Sequence, residues 1–160
     1  MRTIFEGKHV AVRERDGWEF VERKNAAEAV AVIAITDDGD VVLTEQYRRP
    51  VDAHVIDLVA GLLDSSKDVE TIARQELEEE AGFACDTVER VASGPTSPGI
   101  TSEIVHLVRA RGLRRIGEGG GVGGETITVH LVPRNELDAW LRRKEAKGIL
   151  VDLKVRYLTT

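Results

Sequence analysis

Residues 61–83 read GLLDSSKDVETIARQELEEEAGF, and the second half of this stretch is at odds with an ordinary helix. Val69, Ile72, Ala73, Leu77 and Ala81 recur at three- and four-residue spacing, which predicts a helix over 68–82. Gly82 stands where a left-handed C-terminal cap belongs. Of the five residues from Glu76 to Glu80, only Leu77 is not a glutamate, so the last turn is crowded with carboxylates. A helix C-terminus carries partial negative charge, and each carboxylate there is disfavoured by roughly 0.3–1 kcal/mol. Glu76 and Glu80 also repel one another at i,i+4. At about 100° per residue, Glu76, Glu79 and Glu80 share an arc that overlaps the apolar stripe, whereas Glu78 points to solvent. Unpaired charge on an inward face is costly. The pattern therefore predicts a divalent cation beside the three inward carboxylates, with a solvated acidic run as the alternative reading.

Around this helix, 160 residues with 42% apolar content suffice for one core, so a single domain over 1–160 is expected. The formal charge of −6 argues against binding a nucleic-acid backbone. No apolar run approaches 18 residues and no secretory leader is visible, which predicts a soluble, cytoplasmic protein with no membrane partner. Cys85 is the only cysteine, which excludes an intramolecular disulfide and a cysteine-based zinc site; it is expected to pack in a strand. His9, His54, His106 and His130 show no ligand spacing and read as structural or surface residues.

Strands dominate the first third. Residues 9–14 and 18–23 alternate around Asp16-Gly17 as an N-terminal antiparallel hairpin within 1–25. Residues 29–36 (AVAVIAIT) form an apolar run suited to a strand covered on both faces. Further strands are expected at 41–47, 55–59, 85–92, 103–110 and 125–132, with a loop at 93–100. Residues 117–124 (GEGGGVGG) read as a mobile, functional loop. Asn135 is expected to cap a helix over 136–146, whose Trp140 faces the core, and Asp152 to cap a last helix. Strands first and interleaved helices later predict a mixed sheet with helices packed on it.

The stretch 61–83 resembles the Nudix box, G-x5-E-x7-R-E-U-x-E-E-x-G-U with U a bulky aliphatic residue. Gly61, Glu76, Leu77, Glu79, Glu80, Gly82 and Phe83 match in register. The resemblance implies an α/β (α+β) Nudix fold, an α/β/α sandwich around a mixed sheet, and Mg²⁺-dependent cleavage of a nucleoside diphosphate linked to another moiety, with Mn²⁺ as a substitute ion. Two positions depart from the pattern: the box glutamate is Lys67 and the box arginine is Gln75. Both members of a charge pair have changed together, which implies weakened or retuned catalysis. Gln75→Arg, with or without Lys67→Glu, is then expected to raise turnover.

Beyond the box the chain is similar to the ADP-ribose and nucleotide-sugar pyrophosphatases. Gln46-Tyr47-Arg48 looks like that branch's Q-[YF]-R segment, and Asp57-Leu58-Val59-Ala60-Gly61 stands where members have E-x-P-A-G. Pro98 matches a proline of ADP-ribose hydrolases, and residues 119–129 resemble a loop that delivers a glutamate to the diphosphate. The resemblance implies Glu76, Glu79, Glu80 and the Ala60 carbonyl as metal ligands. It implies Glu125 as general base, with Glu118 and then Glu79 as alternatives. Trp18, in a W-E-x-V-x-R setting with Glu19 and Arg23, is expected to stack on the base at a homodimer interface. Arg23 and Arg48 would hold phosphates. Gly61 and Leu62 would line the substrate pocket. A GDP-mannose-type hydrolase and a nucleotide-sugar-binding module with weakened catalysis are the alternatives. The glycine loop is not followed by the Lys-Ser/Thr of a P-loop.

Overall fold

The computed structural model describes residues 1–63 and 67–159; the connection at 64–66, just before the acidic helix, lies outside the described residues. The N-terminal hairpin is joined by a third strand that the sequence reading missed. β1 (Arg2–Glu6), β2 (Val10–Arg15) and β3 (Trp18–Arg23) form one antiparallel sheet, with Asp16-Gly17 at positive φ in the turn. This sheet joins the body through a parallel bridge between Val21 and Thr101.

The central layer is two four-stranded mixed sheets. β4 (Glu28–Ala34) and β10 (Ile104–Arg111) run parallel, flanked by β7 (Val59–Leu63) and β9 (Thr87–Pro95). The other sheet has the order β12 (Thr128–Pro133), β5 (Asp40–Arg48), β6 (Ala53–Asp57), β13 (Leu150–Val151). A two-residue pair, β8 (Phe83–Ala84) with β11 (Arg114–Arg115), completes the strands.

Side chains of β4 alternate between two cores, which explains its unbroken apolar run. Val30, Val32 and Ala34 pack with Ile72, Ala73, Leu77 and Ala81 of helix α1 (Val69–Ala81). Ala31 and Ile33 pack on the opposite face with Leu137 and Leu141 of α2 (Leu137–Glu145) and Val155 of α3 (Leu153–Arg156). The layers are thus α1, strands, then α2 with α3, as the sandwich expectation required.

Several boundaries differ from the sequence reading. The 55–59 run is two strands broken at Leu58, whose N–H is taken by the Asp57 carboxylate at 2.7 Å. β9 runs on to Pro95, so the first three residues of the expected loop at 93–100 are strand, and β12 begins three residues later than expected. Cys85 is buried in the link between β8 and β9 rather than within a strand. Asn135 is not a cap, because a 3-10 turn at Arg134–Glu136 feeds α2 without any side-chain cap. Asp152 does cap α3, its side chain accepting from the Lys154 N–H. Trp140 is half-buried against the second core, edge-on to His130 and under the Lys144 ammonium.

Candidate active site

Helix α1 is anchored at both ends. Asp68 accepts from the Thr71 N–H at 2.8 Å, and Gly82 closes the helix in the left-handed region at φ 73°. The glycine-rich segment, expected to be mobile, is docked on this C-terminus. Gly120 donates to the Glu80 carbonyl at 2.8 Å and Gly121 to the Glu79 carbonyl at 3.0 Å, while Ile116 and Gly117 donate to Gly82. Backbone amides therefore answer part of the negative end of the helix. Gly119 is required by this contact: a Cβ there would lie 2.5 Å from the Glu80 carbonyl oxygen.

The loop amides reach the carbonyls and not the glutamate side chains. Glu80 is buried at 5% exposure and accepts from the Ala60 N–H at 3.0 Å. In a strand a residue's N–H and C=O project from the same edge, so the Ala60 carbonyl also faces α1. Burial, and then repulsion from Glu79 and Glu125 against the pull of Lys67, raises the Glu76 carboxyl to about 7. Glu80 is also raised to about 7, again first by burial; the Ala60 N–H and Arg48 oppose the shift while Glu76 and Glu125 add to it. These shifts mark a negative well built from hard oxygen donors, the chemistry that suits a divalent cation such as Mg²⁺. Among the described residues no three acidic, histidine or cysteine side chains are already gathered into a metal centre. The glutamates surround the well without closing on it.

Glu76, Glu80, Ala60, Gly61 and Leu62 line a cleft of about 550 Å³, which also takes in Arg23, Arg48 and Glu125. The glycine loop brings Glu125 here, its carboxylate accepting from the Val122 N–H at 3.2 Å. Arg23 is held by Glu103 at 2.5 Å. Glu79 is linked instead to Gln75 at 3.0 Å. Glu118 is 92% exposed and paired with Arg115, away from the cleft. Trp18 and Pro98 lie together in a separate, smaller cleft on the hairpin side, where the indole N–H donates to the Gly99 carbonyl at 3.2 Å. Glu19 sits opposite Glu14 in the N-terminal sheet and lines neither cleft.

Sequence reasoning missed several polar residues on the cleft wall, Thr96 and Glu103 and a cluster on the α3 side. Lys154 of α3 lies 3.3 Å from Asp57 and 2.7 Å from Asp152, and all three face the cleft. Burial raises the Asp57 carboxyl, with Lys154 opposing the shift. Their meeting depends on the parallel pairing of β13 with β6, and a two-residue strand leaves no periodic signal to read.

Gly61 has a role beyond the strand. A Cβ there would lie 2.2 Å from the Glu76 carboxyl carbon. The obstructed atoms are the free end of a side chain, so the fold can tolerate alanine and Glu76 cannot keep its place. Gly61→Ala is expected to hold its melting temperature within about 3 °C of wild type. Its activity should fall about 10- to 100-fold, the cost of a displaced cleft carboxylate. Melting curves beside a turnover assay check this; loss of both together would mean that Gly61 serves the fold instead.

The NUDIX domain family model matches residues 26–153. The chain belongs to the Nudix family. It is 35% identical over 131 residues to the methanol dehydrogenase activator of Bacillus methanolicus, a match covering 81% of this Nudix chain and 71% of that protein. A GDP-mannose pyrophosphatase of Cronobacter sakazakii is 33% identical over 144 residues, covering 85% and 72%. The ADP-ribose pyrophosphatase of Bacillus subtilis is 38% identical over 85 residues, where the match takes in 53% of the Nudix chain and 46% of that protein. A crystal structure of an ADP compounds hydrolase superposes with a TM-score of 0.70 at 21% identity, covering 88% of this chain and 80% of the other, which establishes a shared fold.

Proposed function

We propose that this Nudix chain is a pyrophosphohydrolase that splits the diphosphate of ADP-ribose or a related nucleotide sugar into a nucleoside monophosphate and a sugar phosphate. The reading rests on one observation: Glu76, Glu80 and Glu125 converge on a cleft that also holds Arg23 and Arg48. Glu76, Glu80 and the Ala60 carbonyl would hold Mg²⁺, or Mn²⁺ in its place, with Glu79 beside them. The ion, when bound, supplies charge stabilisation to the attacking and leaving oxygens. Arg23 and Arg48 bind the diphosphate by their guanidinium forks. Glu125 takes the proton of the attacking water, and its position on the docked glycine loop favours it over Glu118, which is tied to Arg115. The Ala60 N–H keeps Glu80 facing the ion.

A GDP-mannose-type substrate is the second reading, favoured by the longer match to the GDP-mannose pyrophosphatase. The N-terminal sheet supports a homodimer, because all of β1 is exposed and Ile4, Phe5, Val10 and Trp18 each leave large apolar side chains uncovered on it. Trp18 would then meet the base only in the assembled dimer, which fits its place outside the main cleft. A cytoplasmic setting agrees with the absence, among the described residues, of a helix able to cross a membrane.

The decisive test is Glu125→Gln on a panel of ADP-ribose, GDP-mannose and ADP-glucose with Mg²⁺ and Mn²⁺. The rate should fall at least ~100-fold on the best substrate. A change within a few-fold moves the base to Glu79. Tight binding without metal-dependent hydrolysis by the wild type would favour a binding module.

A further inference from the structure

Lys67 and Gln75, the two departures from the Nudix pattern, are joined to each other and to Glu79. Lys67 Nζ donates to Gln75 Oε1 at 2.6 Å, and Gln75 Nε2 donates to Glu79 Oε1 at 3.0 Å. An ammonium only donates and a carboxylate only accepts, so the amide between them has one orientation that satisfies both neighbours. We propose that Lys67 is a positioning residue: by fixing the Gln75 amide it presents Nε2 to Glu79 and fixes the direction in which that carboxylate points. The inference deepens the pyrophosphohydrolase reading and rests on it for the role of Glu79.

The chemistry of the three positions explains why the departures occur together. A glutamate at 67 accepts only, so it suits a donor-only arginine at 75 that also serves Glu79. With lysine at 67, an arginine at 75 cannot accept from the ammonium and adds a second cation beside it. A carboxylate at 75 would accept from Lys67 but repel Glu79. Glutamine accepts on one side and donates on the other. The two substitutions are therefore one exchange of polarity, and the sequence expectation that Gln75→Arg alone raises turnover is withdrawn.

The test is a double-mutant cycle with a readout that needs neither metal nor turnover. Lys67→Glu and Gln75→Arg should each lower kcat about three- to tenfold with KM little changed, and the double variant should recover at least the wild-type kcat. That is coupling of the size expected between side chains in one network. Lys67→Met should lose activity like the single variants, while Lys67→Arg, still a pure donor, should keep it. In metal-free protein the Gln75 carboxamide 15N–1H signals, assigned by their loss in Gln75→Met, should be displaced from free-amide positions in wild type and Lys67→Arg. They should return to those positions in Lys67→Met. Additive single effects, or carboxamide signals indifferent to Lys67, overturn the relay. A wild type that cleaves no nucleotide sugar overturns the pyrophosphohydrolase reading instead, and the carboxamide signals still decide the relay.

Discussion

Glu80→Gln is expected to lower turnover by about 10²- to 10³-fold, because it removes the buried carboxylate that the proposed function assigns to the cation. The same substitution should make the metal-free protein more heat-stable at pH 8. Glu76 and Glu80 each rise from an ordinary value of 4.5 to about 7 on folding. Between these values the folded state binds more protons than the unfolded state, so stability falls as pH rises from about 4.5 and is lowest above 7. This is the reverse of the usual carboxylate, whose folded value is depressed. At pH 8 the wild type holds both charges in the half-buried site, whereas the Glu80→Gln variant holds only that of Glu76. The variant's carboxamide still offers an oxygen to the Ala60 N–H, which the Glu80 carboxylate accepts from in the wild type. With the solvent that reaches the cleft allowed for, the relief is about 2 kcal/mol. That corresponds to a rise of about 4–8 °C in Tm for a chain of this size. Scanning calorimetry in chelator at pH 4.5, 5.5 and 8 checks the claim: the gap between variant and wild type should be smallest at pH 4.5 and widen steadily to pH 8. Mg²⁺ should close it by stabilising the wild type alone. A Tm for the variant at or below wild type at pH 8 would mean that the Glu80 charge is already compensated within the chain.

The acidic helix was legible because its signals are local. The apolar stripe and Gly82 fix its inward face and its C-terminal end within a few turns of chain, while the Asp68 cap was not read. β4 was legible for a similar reason, since an unbroken apolar run needs cover on both sides. What the sequence hid are the non-local closures. Gly119 read as part of a flexible loop, yet it marks a close approach to the Glu80 carbonyl that only the fold reveals. Lys154 gave no sign of lining the cleft, because the two-residue pairing of Val151 with Ile56 brings it there. Lys67 and Gln75 looked like losses when each was compared with a pattern, and become complementary only when their hydrogen-bonding directions are set side by side.

Gly82→Ala should be among the most damaging single-methyl additions in the chain. Gly82 lies at φ 73°, where a Cβ meets the following carbonyl and costs roughly 1–2 kcal/mol by itself. The added Cβ would also stand 2.3 Å from the Gly117 oxygen and 2.8 Å from the Gly119 nitrogen. Both are backbone atoms and cannot rotate aside, so the glycine loop must lift from the helix end. Lifting it strips the donors from the Glu79 and Glu80 carbonyls, which Gly121 and Gly120 now supply. Glu125 leaves the cleft with it. We expect a loss of at least about 3 kcal/mol in unfolding free energy, a Tm lower by about 6–12 °C, and activity reduced in step with the loss of Glu125. Gly39→Ala isolates the strain component, because Gly39 has φ 87° and nothing within 4 Å of an added Cβ. That variant should lose no more than about 1–2 kcal/mol and keep its turnover number. Urea unfolding of both variants, with kcat measured on the folded fraction, separates strain from loop displacement. Equal losses in the two would show that the docking of the glycine loop contributes nothing to the helix end, and the link from Gly82 to Glu125 would fall with it.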